Sequence, residues 1–161
     1  MSSAVIPPGC GFPSGPCQIC AKCGQLTSAA VVKRHVLPSH PWHLRNGAAL
    51  EAFVDSLPLE ACEWLLALYV DDRLNLLSVE TVGAGRMDTV PLDFGHVIHR
   101  GRAQGAASFI LVHNHPSGDP TPSAEDIKQT ARLAWLSKEC GVPLIGHYVI
   151  AEHGAQLVGH W

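Results

Sequence analysis

A short, nearly continuous apolar run, Ala107 to His113, passes through a polar, proline-rich loop, His115 to Pro122, into an amphipathic segment from Ser123 to about Cys140. The run has the length of a strand and the following periodicity is helical, so the chain must hold a strand–loop–helix unit. Ile127, Ala131, Ala134 and Trp135 fall at i, i+4, i+7 and i+8, which predicts that this face packs on a sheet. Gly141 ends the helix, Leu144 to Ala151 reads as the next strand, and Gly154 permits a turn into a last strand ending near Trp161.

Upstream, Gly47 to Leu57 carries an apolar stripe of Ala48, Leu50, Ala52, Phe53 and Leu57, with Pro58 as its stop. Trp64 to Val70 and Leu74 to Val82 flank the polar Asp71, Asp72 and Arg73, a hairpin pattern in which Gly83 and Gly85 break the second strand. Met87 to Pro91 is expected to extend the sheet, and Asp93 to cap a helix running toward Gly105. Strands and helices alternate, which gives an α/β or α+β layered domain.

With 161 residues, 47% of them hydrophobic, the chain has material for one domain with a buried core and excludes whole-chain disorder. Trp64 to Val70 is the longest apolar run, too short to cross a bilayer, and the N-terminus shows no secretory pattern. A soluble, cytoplasmic protein without a membrane partner is expected. Residues 1 to 45 hold four basic and no acidic residues, leaving seven basic against fourteen acidic in 46 to 161. That acidic balance argues against a duplex-binding face on the domain, while the basic stretch leaves contact with nucleic acid open.

The chemistry concentrates in His113-Asn-His115-Pro-Ser-Gly-Asp-Pro-Thr-Pro-Ser123-Ala-Glu-Asp126. Histidines at i and i+2 where a strand ends project from the same side of the pleat and can reach one cation. Asp126, in the first turn of the next helix, offers a third ligand. The set His113, His115 and Asp126 suits a borderline ion such as zinc and leaves a fourth position for water. Ser123-x-x-Asp126 also has capping-box spacing, and cap and metal site can coexist.

HNHPSGDPTPSAEDI, residues 113 to 127, resembles the signature of RadC-like proteins in the JAB/MPN/JAMM superfamily of zinc-dependent hydrolases, and a thinner similarity runs from about Leu57 to the end of the chain. The resemblance implies an MPN/JAB-like fold, with a cytidine-deaminase-like mixed sheet flanked by helices. It also implies a Zn2+ cofactor on His113, His115 and Asp126, and hydrolysis of peptide or isopeptide amides in a protein or peptide substrate. The family's upstream acid matches Glu63, the implied proton acceptor; on composition alone Glu60 and Glu80 compete. Ser123 is the implied donor to the oxyanion. The superfamily also contains noncatalytic scaffolds, and RadC-like proteins carry a DNA-repair label; both remain as alternatives.

Two departures stand out. Pro91-Leu92-Asp93 replaces a His-Pro-Arg-Glu-like element, and Gly146-His147 stands where Asp-His is common. Of the remaining histidines, His147 is the best candidate to support the site. Residues 1 to 45 read as an irregular arm preceding the RadC-like domain at 46 to 161. Cys10, Cys17, Cys20 and Cys23 in that arm, with His35, His40 or His43, fit loose templates for a second, structural ion. Cys62 and Cys140 are expected as apolar fillers, and Trp64 and Trp135 as core residues.

Overall fold

In the computed structural model, residues 43–44, 47–57, 59, 62–84 and 92–159 are described. The cysteines and histidines of the expected arm metal site other than His43 lie outside them, as do Glu60, His160 and the Met87 to Pro91 segment. His43 forms an isolated bridge with Asn75 and hydrogen-bonds its side chain.

The elements, in order, are α1 (Gly47–Asp55), β1 (Trp64–Val70), β2 (Leu76–Ala84), α2 (Phe94–Ala103), β3 (Ser108–Asn114), α3 (Ala124–Glu139), β4 (Leu144–Ala151) and β5 (Gly154–Leu157). They build one five-stranded mixed sheet in the order β2-β1-β3-β4-β5. Only β3 and β4 pair in parallel, and α3 makes the crossover that a parallel pair requires. β1 and β3 are buried along their whole lengths, because helices cover the sheet on both faces and each strand has a neighbour on either side.

Local chemistry sets the element ends. In the β1–β2 turn, the Asp71 carboxylate accepts from the backbone amides of Arg73 and Asn75, each at 2.8 Å, and from Asn75 Nδ2 at 2.6 Å. Leu74 adopts φ +61 there, so β2 starts at Leu76, two residues later than the apolar pattern suggests. Nor does Gly83 break β2. It pairs with Leu65 while Leu66 pairs with Thr81, so a bulge absorbs Val82 and the strand runs on to Ala84. Asp93 caps α2 as expected, its Oδ1 accepting from the His96 amide at 2.9 Å.

Side-chain alternation divides the core. Leu66, Leu68, Val112 and Ile150 face α1, where Phe53, Val54 and Leu57 meet them. Leu65, Ala67, Leu111 and Leu144 face α2 and α3. The helical stripe predicted for α3 has the wrong phase. Its buried residues are Asp126, Thr130, Leu133, Ala134 and Ser137. Ile127, Ala131 and Trp135 face solvent, Trp135 at 68% exposure, so Trp135 is no core residue, whereas Trp64 is. Cys62 and Cys140 are half-buried, and Cys140 packs against the core on the α2 and α3 side.

The layer of α2 depends on a glycine. Cβ at Gly101 would come within 3.0 Å of Val142 Cγ1 and 3.1 Å of Tyr69 Cε1. Tyr69 is fully buried and its hydroxyl donates to the Val97 carbonyl at 2.9 Å, so the ring cannot withdraw freely. Gly101→Ala should therefore destabilise the fold by about 1–3 kcal/mol despite alanine's better helix propensity. Denaturant unfolding measures this, and an unchanged or higher midpoint would contradict the close packing.

Candidate metal centre

The last residues of β3 place two imidazoles on the α3 side of the sheet. His113 is fully buried within the strand, and His115 follows just beyond it, its amide donating to the Ile150 carbonyl at 2.8 Å. Asn114 must then face the other way. Its buried side chain spans the start of β1: Oδ1 accepts from the Trp64 amide at 2.7 Å, and Nδ2 donates to the Cys62 carbonyl at 3.0 Å. The residue between these two tethers is Glu63. β1 pairs antiparallel with β3 and the ladder ends with Leu65 opposite His113, so Glu63 lies just before β1 at the end of the sheet where His113 sits. Glu80, the compositional competitor, instead forms an ion pair with Arg100 and accepts from Gln104 Nε2 at 2.9 Å.

After His115 the loop turns back through Gly118, at φ +85, and delivers Ser123 to the N-cap of α3. The capping box is complete. Ser123 Oγ accepts from the Asp126 amide at 3.1 Å, and Asp126 Oδ2 accepts from the Ser123 amide at 2.8 Å and from the Ser123 hydroxyl at 2.6 Å. The cap uses only one carboxylate oxygen. Oδ1 is buried and accepts no hydrogen bond.

That orphaned oxygen lies 3.5 Å from His113 Nε2, and Asp126 Oδ2 lies 3.7 Å from His115 Nε2. The two Nε2 atoms are 2.9 Å apart. All three residues bring a ligand atom within 4.8 Å of the others. A tetrahedral ion with bonds of about 2.0–2.1 Å spaces its ligands about 3.3 Å apart, so this group has the dimensions to hold a small divalent cation. An acceptor-only oxygen buried without a donor, beside one imidazole and within reach of a group that holds a second, is the environment a cation completes.

Behind the imidazoles stand two residues from other elements. His113 Nδ1 lies 2.7 Å from His147 Nε2 on β4, and His147 Nδ1 lies 2.7 Å from Thr130 Oγ1 on α3. His115 Nδ1 is 2.9 Å from the Asp119 carbonyl oxygen. Burial pushes the pKa of His113 down to about 4, with Asp126 opposing the shift and His115 reinforcing it. Burial, aided by the neighbouring His113 and His115, likewise holds His147 well below the usual histidine range. Both rings are thus neutral near neutral pH, the form that ligates metal.

Residues 44–158 match the protein family described as the RadC-like JAB domain. The chain belongs to that family. Over 90 residues, 56% of this chain, it is 39% identical to a UPF0758 protein of Syntrophomonas wolfei, 39% to one of Halalkalibacterium halodurans and 40% to one of Bacillus pumilus. The matched stretch covers 38%, 39% and 40% of those three proteins.

This RadC-like domain brings together the three residues expected as ligands and places Ser123 beside Asp126, with its hydroxyl proton given to Oδ2. Three participants were not singled out by motif: Thr130, Asn114 and the Asp119 carbonyl. Strand alternation carried the signal for Asn114, and the i+4 spacing from Asp126 carried it for Thr130. His147 was marked as a supporting candidate, and it occupies that place.

Asn114→Ala removes partners from two backbone groups, one of them fully buried, and should cost about 1–3 kcal/mol in denaturant unfolding; wild-type stability would show the tethers to be idle. A histidine whose pKa falls on folding binds fewer protons than it does in the unfolded chain, so stability rises with pH between the two values. Metal-free protein should therefore lose stability as pH falls from about 6.5 toward 4. Thermal melts in chelator at stepped pH read this directly, and a flat Tm across that window would contradict neutral burial of the two rings.

Proposed function

We propose that this RadC-like domain is a zinc-dependent hydrolase of amide bonds, acting on peptide or isopeptide linkages in a protein or peptide substrate. The observation that carries the reading is Asp126 Oδ1: a fully buried carboxylate oxygen with no hydrogen-bond donor, facing His113 Nε2, which itself lies 2.9 Å from His115 Nε2. A domain built only to dock a partner has no need of such an unsatisfied acceptor beside two imidazoles.

In this reading His113, His115 and Asp126 hold the ion. Zinc with three protein ligands supplies an electrophile for a carbonyl oxygen and brings the acidity of water toward neutrality. Glu63, tethered on both sides through Asn114 and lying just before β1 at the end of the sheet that carries His113, accepts a proton from the attacking water and passes it to the leaving amine. Ser123 turns its hydroxyl from Asp126 Oδ2 to the oxyanion that develops on the substrate. Oδ2 keeps the Ser123 amide as its donor meanwhile, so the helix cap survives the exchange. The choice of acyl and amine partners, and any part played by nucleic acid or by residues 1 to 45, belongs to the whole protein rather than to these residues.

Dialysis against zinc followed by metal analysis should give one equivalent per domain for wild type and a substoichiometric value for His113→Ala. Equal zinc in both would remove the metal-centre reading. Glu63→Gln should bind zinc as wild type does while losing at least 100-fold, roughly, in turnover of a peptide or isopeptide substrate found by screening with the wild type, since the amide keeps the shape but cannot take the proton. Retained turnover would move the base to another residue.

A further inference from the structure

The contacts behind His113 form a chain whose hydrogen-bond directions can be deduced from its far end. Thr130 Oγ1 lies 2.5 Å from the Asp126 backbone carbonyl oxygen. A carbonyl can only accept, so the Thr130 proton must lie in that contact; pointed elsewhere, it would leave two oxygens at this distance with nothing between them. Thr130 Oγ1 therefore has only lone pairs to offer His147 Nδ1, 2.7 Å away, which makes that nitrogen the N–H donor. In the neutral ring His147 Nε2 is then bare and accepts from His113 Nδ1 at 2.7 Å. His113 in turn has its proton on Nδ1, and its Nε2 lone pair faces Asp126 and His115.

The loop does the same to the other imidazole. His115 Nδ1 is 2.9 Å from the Asp119 carbonyl, again an acceptor only, so its proton sits on Nδ1 and its Nε2 is bare. Two unprotonated nitrogens 2.9 Å apart thus face each other beside the orphaned Asp126 Oδ1. Lone pairs converge on one point from three residues, an arrangement that repels unless a cation joins it.

We infer that Thr130 and His147 are positioning residues: the Asp126 carbonyl, Thr130 and His147 form a one-way hydrogen-bond chain that locks His113 in the tautomer presenting Nε2 to the metal. The inference rests on the metal-centre reading above. It also gives Asp126 two roles, as a ligand through its side chain and as the terminal acceptor of this chain through its backbone. His147 serves as the second partner of a ligating histidine, a place more often filled by a carboxylate or a backbone carbonyl. Thr130 supplies here the fixed polarity that a carbonyl would supply directly.

Two measurements on the full chain test it. Histidine 15N–1H correlation spectra of metal-free protein above neutral pH distinguish the tautomers, and His147 and His113 should each show protonated Nδ1 and bare Nε2. Zinc affinity, measured by competition with a chromophoric chelator, should fall about 10–100-fold in the isosteric Thr130→Val and return to the wild-type value in Thr130→Ser. His147 protonated at Nε2, or a folded Thr130→Val with wild-type zinc affinity, would overturn the inference. Wild type that takes up no zinc while showing the stated tautomers would sink the metal-centre reading and leave the tautomer chain standing.

Discussion

Burying a carboxylate is expensive, and the architecture around Asp126 is organised by how that cost is met. The residue is 1% exposed, so its charge must be compensated by partners rather than by water. Ser123 satisfies one oxygen twice over, through amide and hydroxyl, and the N-terminal end of α3 adds a favourable dipole. The second oxygen is left for the imidazoles. Because the cap binds Oδ2 from one side, rotation of the carboxylate is restricted and Oδ1 is held toward His113. A motif that looks like a routine helix start thereby orients the carboxylate of the candidate metal centre.

β3 does comparable double service. Its alternation sends His113 to one face and Asn114 to the other, and the two faces communicate through β1. Asn114 fastens the backbone immediately before and after Glu63, so this glutamate is fixed to the strand that carries His113. A shift of β1 along β3 would break both tethers at once. Register, normally a matter of matching apolar faces, is here also a matter of keeping Glu63 between those two tethers.

The sequence makes the element order legible because length and apolar content suffice for strands such as Trp64–Val70 and Leu144–Ala151, which the structure reproduces without change. The convergence of His113, His115 and Asp126 was legible because His-x-His and Ser-x-x-Asp are local in the chain. What was not legible was the phase of α3. Hydrophobic periodicity selects Ile127, Ala131 and Trp135, yet these face solvent while Asp126 and Thr130 point inward. The error has a physical origin: the first two turns of α3 turn their polar residues to the sheet because the site lies there. The helix is therefore least hydrophobic on its buried side near its start, and an apolarity count turns it by about one residue's rotation. Gly83 misled for another reason, since a bulge in the pairing with β1, which skips Val82, lets β2 continue past the glycine. His147 and Thr130 are 17 residues apart in the chain and meet only through the α3 crossover, a long-range fact that no window contains.

Strand alternation also decides what Gly146 does in this fold. Gly146 precedes His147 on β4, so a side chain there points away from the imidazoles. Its Cβ would meet Tyr148 Cε2 at 3.3 Å and Ile110 Cγ2 at 3.9 Å, both on the α1 side of the sheet. Glycine at this position therefore removes nothing from the metal-facing side, and it makes room for the Tyr148 ring. Asp93 has a structural task as the N-cap of α2, while Leu92 packs against the core on the helix-paired face. Gly146 and Asp93 thus act on packing and capping around the sheet, while His113, His115, Asp126, His147 and Thr130 contact one another beneath α3.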